Sequence, residues 1–217
     1  MLNKDRQIIY IGITKTASES VYTSLFRAGL VDNKKHKETE GYKQYQVRNH
    51  RLKKHQSIRF IENNFEDVNL SDYFKFTFVR EPYARHLSMY NWYRKRLPRY
   101  APKEMGLLSF TKGFLRGSVG GSHVPKHRYM AQVAWLKNHD HKINMDSIGR
   151  FETLEEDFAT VAKILGIKPE LEKKNVSSPG NRLKLADYCS ESEDLVRKYY
   201  EEDFDVFGYS KKLKKEK

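Results

Sequence analysis

Ile8-Ile9-Tyr10-Ile11-Gly12-Ile13-Thr14-Lys15-Thr16-Ala17-Ser18-Glu19-Ser20-Val21 decides how this chain is read. Gln7 to Ile13 is almost continuously β-branched and aromatic, the pattern of a strand covered on both faces in a parallel sheet. A short loop with one lysine follows, and then an apolar spacing that predicts a helix over 18–28, with Val21, Leu25 and Phe26 on one side and Gly29 as its stop. Strand, loop and helix open an α/β unit. Backbone N–H groups at a helix N-terminus, together with the helix dipole, favour an anion in such a loop.

A second stretch repeats the plan. Tyr73-Phe74-Lys75-Phe76-Thr77-Phe78-Val79-Arg80 reads as another buried strand, and Pro82 suits the first turn of a helix running to Arg96. If the two strands are parallel neighbours, Lys15 and Arg80 both leave the same edge of the sheet. In α/β sheets ligands bind at the carboxyl ends of strands.

Between these stretches, 32–54 reads as a long polar and basic connection with a short strand near Tyr45 to Val47. A short helix follows over 55–63. Beyond Pro98 the chain predicts a short helix at 107–115 and a flexible loop over Gly117 to Pro125. A short helix or turn at 129–136, a strand end at 147–151 and an amphipathic helix at 154–165 stopped by Gly166 come next. A last helix is expected at 193–200. The fold class is therefore α/β, a parallel sheet flanked by helices. One domain covers 1–210, with a basic C-terminal tail over 211–217.

The composition bounds the function. Hydrophobic residues make up 38% and charged residues 32% of 217, with a net charge of +13. Such a balance describes a globular, strongly basic chain that expects an acidic partner. The single cysteine, Cys189, leaves no internal disulfide and no Cys-based metal site, and reads as a packed thiol. No apolar run is long enough to span a membrane. A complete chain would be cytoplasmic; one trimmed from a longer protein would be lumenal.

Lys15 can place a point charge on a phosphoryl or sulfuryl oxygen. The nucleoside triphosphatase loop G-x-x-x-x-G-K-[ST] is not met, because Gly12 is the only glycine before Lys15 in the loop. Arg80 and Ser88 form a second constellation, a guanidinium fork and a hydroxyl able to share one phosphate. Two anion sites on one edge suit a ligand with two phosphate-type groups. The plainer alternatives are an exposed strand-end lysine, an Arg80–Glu81 surface pair and an ordinary helix serine.

These stretches resemble the carbohydrate sulfotransferases. Ile11 to Ser20 is similar to that family's 5′-phosphosulfate loop, H-I-P-K-T-A-G-T-S. Phe76 to Tyr90 is similar to its 3′-phosphate motif, F-x-F-V-R-[DN]-P-x-x-R-x-x-S-x-Y. Ile148 to Phe158 and Asp203 to Tyr209 are similar to later blocks of the family. The resemblance implies a P-loop-like fold and the donor 3′-phosphoadenosine 5′-phosphosulfate, with no metal required. It implies that Lys15, Thr16, Ala17, Ser18 and Ser20 bind the 5′ group and that Arg80 and Ser88 bind the 3′-phosphate. Ser177 and Arg182, in a late loop, would fold over the nucleotide. Thr14 stands where the family has proline, and Ser18 and Glu19 where it has glycine and threonine.

Sulfuryl transfer needs a base for the acceptor hydroxyl, and imidazole is suited to that task near neutral pH. His55 resembles the family's histidine upstream of the 3′-phosphate motif; His50, His123 and His127 are the rivals. His139 and His141 flank Asp140 without a further metal-ligand pattern. The acceptor is expected to be a saccharide or another hydroxyl compound, with an anionic one suited to the basic chain, and not a nucleic acid. Two other readings are carried: a P-loop-type kinase, and a non-catalytic basic nucleic-acid-binding protein.

Overall fold

The computed structural model describes residues 1–31, 55–172 and 183–214 in full, and the strands at 44–47 and 50–53 by backbone only. In chain order the elements are β1 (Leu2–Asn3), β2 (Ile8–Ile11), α1 (Ser18–Arg27), β3 (Gln44–Val47), β4 (His50–Lys53), α2 (Ile58–Asn64), β5 (Phe74–Val79) and α3 (Pro82–Arg96). There follow α4 (Leu107–Phe114), β6 (Ser118–Val119), β7 (Ser122–His123), α5 (Lys126–Tyr129), α6 (Val133–Leu136), β8 (Ser147–Arg150), α7 (Leu154–Leu165), α8 (Ser190–Tyr199) and α9 (Glu201–Phe207).

The central sheet has the order β1-β2-β5-β8. β5 runs parallel to both β2 and β8, while β1 adds antiparallel to the edge of β2. The sheet is thus mixed, with a parallel core. Ile11 pairs with Thr77, whose hydroxyl also donates to Ile11 O at 2.7 Å. The carboxyl ends of β2 and β5 therefore lie side by side, as the sequence reading requires.

The chain divides into two compact units, each made from two stretches. Unit one is Met1–Val79 with Gln132–Val176, and holds the sheet. One sheet face, through Ile8, Tyr10, Phe76 and Phe78, packs against Val21 and Leu25 of α1 and Phe158 and Val161 of α7. The alternate residues Ile9 and Ile11 are also buried, which explains the unbroken apolar run in the sequence. Lys75, inside β5, is 3% exposed. Its ammonium donates to the carbonyls of Leu70 and Tyr73 and pairs with Asp146, so the buried charge is satisfied.

Unit two is Arg80–Ala131 with Ser177–Lys217. Its core joins Tyr83, Tyr90 and Tyr93 of α3 to Phe110 and Phe114 of α4 and to Val196 of α8. Glu81 caps α3, its carboxylate accepting from the N–H groups of Tyr83 and Ala84. Three expectations are corrected here. The segment 117–125 is not an open loop: it is the β6–β7 hairpin, turned by Gly120 and Gly121 at φ of 54° and 75°. A side chain at Gly120 would meet Tyr100 O at 2.5 Å, so only glycine fits. The last helix begins at Ser190 rather than 193, and a further helix, α9, follows it. Cys189 is exposed at the N-cap of α8, not packed; the Ser192 hydroxyl bonded to its sulfur holds the thiol below its ordinary range.

Candidate functional site

The loop after β2 is built on unusual backbone. Lys15 has φ of 68° and Ala17 has φ of 61°. Left-handed backbone costs a non-glycine residue roughly 1–2 kcal/mol, so packing holds both in place. Ala17 is the N-cap of α1, and no side chain caps that end. In any α-helix the first-turn N–H groups point out along the axis, so this end of α1 presents backbone donors. Lys15 is half-buried beside them.

Three of the candidate residues here carry hydroxyls: Thr16, Ser18 and Ser20. Thr16 is fully buried and its hydroxyl donates to Ile13 O at 3.0 Å, bracing the loop from within. Ser18 and Ser20 are buried in the first turn of α1. Glu19 occupies the same turn, where a carboxylate favours the helix dipole. Its charge acts with burial, the larger cause, to raise the Tyr10 phenol beneath the loop far above its ordinary range.

His55 comes to this loop from another part of unit one. Its Nδ1 lies 2.6 Å from Gly12 O. A carbonyl oxygen can only accept, so Nδ1 carries the proton and the lone pair of the neutral ring is on Nε2. That is the tautomer a general base needs. His55 itself has φ of 70°, a third left-handed residue at one place. Strained backbone clusters where surrounding structure enforces a function.

A cleft of about 410 Å³ opens beside Ala17 and Ser20, walled by Phe151, Glu152, Glu155, Glu156 and Glu172. Its carboxylates can accept hydrogen bonds from hydroxyl or amino groups but repel anions.

The remaining candidates separate cleanly. Arg80, half-buried, and Ser88, half-buried on α3, belong to unit two. His123 is exposed on β7, and His127 is half-buried on α5, its imidazole held below the usual range by burial and then by Arg128. Neither belongs to the unit that holds Lys15. The backbone of His50 lies in β4, and its side chain falls outside the described residues, as do Ser177 and Arg182. His139 and His141 engage α2: His139 Nε2 is 2.5 Å from Asn63 Oδ1, and His141 Nδ1 is 3.4 Å from the Arg59 guanidinium. Arg85, the second arginine of the motif after β5, is a structural residue. It is buried, donates to Met130 O and lies over the Tyr200 ring.

A family model described as the sulfotransferase family matches residues 1–210. The chain belongs to the sulfotransferase family. Its general activity is therefore sulfuryl transfer, and the kinase and nucleic-acid-binding readings give way to it. No curated protein and no solved structure matches the chain. Among the described residues of this family member, no helix is long and apolar enough to cross a membrane. One contact no motif announced is Trp135 of α6, whose ring meets the His55 imidazole edge-on at 6.1 Å. The two lie far apart in sequence, and no spacing rule links them.

Proposed function

We propose that this sulfotransferase moves the sulfuryl group of 3′-phosphoadenosine 5′-phosphosulfate to a saccharide hydroxyl, with His55 as the base. The observation that carries the reading is the 2.6 Å contact between His55 Nδ1 and Gly12 O. It brings an imidazole of the right tautomer to the loop that carries Lys15. In the reaction the acceptor oxygen attacks sulfur as its proton passes to His55 Nε2. The bond from sulfur to the bridging oxygen breaks, and the nucleotide bisphosphate leaves with that electron pair. Lys15 and the first-turn amides of α1 would steady the charge developing there. Arg80 and Ser88 are the proposed ligands of the 3′-phosphate, with Ser177 and Arg182 over the nucleotide.

The loop fits such a donor in kind. It offers one cation and an uncapped helix end, and it lacks the glycines that a triphosphate would need around it. A charged acceptor is supported by the distribution of basic residues. Between Glu81 and Asp140 the chain carries eleven Lys and Arg against one acidic residue, Glu104. Four of these arginines are held against aromatic rings: Arg85 over Tyr200, Arg94 over Tyr90, Arg99 over Tyr100 and Arg128 over Trp92.

Calorimetric titration with 3′-phosphoadenosine 5′-phosphate tests the reading. The native protein binds, and Arg80→Ala weakens binding tenfold or more. No binding by the native protein, or equal binding by Arg80→Ala, overturns the donor assignment.

A further inference from the structure

We infer that Trp135 is the positioning residue for His55. The inference rests on the proposed base and extends it to what fixes that base in space. His55 has left-handed backbone and precedes α2, so its ring is not placed by secondary structure of its own. Gly12 O holds Nδ1 on one side. Trp135 supplies a second contact to the ring. The two ring planes stand at 80° with centroids 6.1 Å apart. A perpendicular aromatic contact with a hydrogen bond at one nitrogen leaves the imidazole little freedom to flip.

Trp135 is itself immobilised. It is 1% exposed, and its indole N–H meets no acceptor among the described residues. A buried donor without a partner is a cost that a phenylalanine would avoid. The indole is thus placed by shape, and the N–H contributes nothing to holding it. The element that carries it is tied to α2 by the hairpin that follows α6, closed by the Lys137–Ile143 bridge. Arg59 donates to Asn138 O at 3.0 Å, the His139 N–H donates to Glu62 Oε2 at 3.0 Å, and His139 Nε2 meets Asn63 Oδ1. These contacts clasp α2 to the segment bearing Trp135. The start of α2, and with it His55, is referenced to the indole.

Two variants and a spectroscopic readout test this. Long-range ¹H–¹⁵N correlation on the native protein shows His55 as the Nδ1–H tautomer. In Trp135→Leu that pattern collapses toward the averaged signal of a mobile ring. The same variant lowers kcat about 10- to 100-fold, the scale of a misplaced catalytic group, and moves the acidic limb of the pH–rate profile. Its affinity for 3′-phosphoadenosine 5′-phosphate stays within threefold. Trp135→Phe, which keeps a ring edge-on, loses far less. Should Trp135→Leu fail to fold, His139→Ala on the exposed hairpin decides: it averages the same signal and lowers kcat severalfold. A native tautomer signal and native kcat in the folded variant overturn the inference, as does an equal loss in Trp135→Leu and Trp135→Phe. A native protein that binds no nucleotide bisphosphate defeats the donor reading instead, and the tautomer measurement then still judges the positioning of His55.

Discussion

His55 and His86 are both held by a hydrogen bond at Nδ1 and by aromatic rings, and they behave as opposites. His55 is half-buried on strained backbone, bonded to a loop carbonyl beside a lysine. His86 is 1% exposed in the regular helix α3, enclosed by Phe110, Phe114 and Tyr188. The Tyr188 hydroxyl donates to Tyr83 O, so it accepts from His86 Nδ1. His86 Nε2 is then left buried without a partner. Burial, reinforced by the neighbouring Arg85 charge, depresses its imidazole to about 3. Enclosure makes a histidine part of the core; strain next to the loop that carries Lys15 makes it a candidate for chemistry. The lesson is that tautomer control is common to both and that access separates them.

The sharpest way to break this contrast is to remove each ring. His55→Ala is expected to lower kcat by about 10²–10⁴, the usual contribution of a general base. Nucleotide binding by calorimetry should stay within threefold. Retained transfer would move the role to His50 or His123. His86→Ala should do the reverse, costing about 2–4 kcal/mol of stability in urea unfolding through the cavity it leaves, with kcat near native at a temperature where it is folded.

Acid sharpens the contrast further. The unfolded chain protonates His86 near pH 6.5, and the folded chain only near 3. The unfolded state therefore binds the extra proton between those values. Stability from this group is complete above pH 6.5 and is lost as pH falls toward 3. The loss is about 2 kcal/mol by pH 5. Denaturant melts of native and His86→Phe at pH 7 and pH 5 check it: the variant should show the smaller loss. An equal loss would place the acid sensitivity elsewhere.

Around His55, the loop offers two gentler tests. Glu19→Gln removes a carboxylate from the first turn of α1 and should tighten binding of the nucleotide bisphosphate about two- to fivefold, against a few tenths of a kcal/mol of lost helix-dipole stabilisation. Ala17→Gly relieves left-handed strain and should raise stability by up to about 1 kcal/mol, seen as a rise of a few degrees in Tm, while loosening the anion seat. Weaker binding by Glu19→Gln would show that the carboxylate serves the site.

The sheet was legible because its physics is local. The mostly apolar runs at 8–13 and 73–79, broken by Gly12, Lys75 and Thr77, read as strands covered on both faces, and Glu81-Pro82 marks the start of α3 with a cap and a preset φ. Lys15 and His55 were legible as residue types with a motif around them. What placed them together was not: the positive φ at Lys15, Ala17 and His55 is carried by residues with no preference for it, so packing imposes it from outside. The hydrogen bond from the Thr16 hydroxyl to Ile13 O was not legible, because motifs do not record which hydrogen bonds are made. Gly120-Gly121 signalled a turn, and the hairpin was missed because its strands are only two residues long. Trp135 reads as ordinary core until its neighbour is known.

The parallel pairing of β2 with β5 has a kinetic consequence. Parallel neighbours cannot be joined by a tight turn, and here residues 12–73 intervene. The joining of β5 to β8 spans residues 80–146. Contacts this distant in sequence must close large loops before they return any stabilisation, which slows folding. Lys15 and His55 both lie inside the first of these loops, so the proposed anion seat and the proposed base are assembled by the same slow step. Refolding experiments should recover nucleotide binding no earlier than the burial of Tyr10 and Phe76, because neither half of the site has a rigid support until the strands meet.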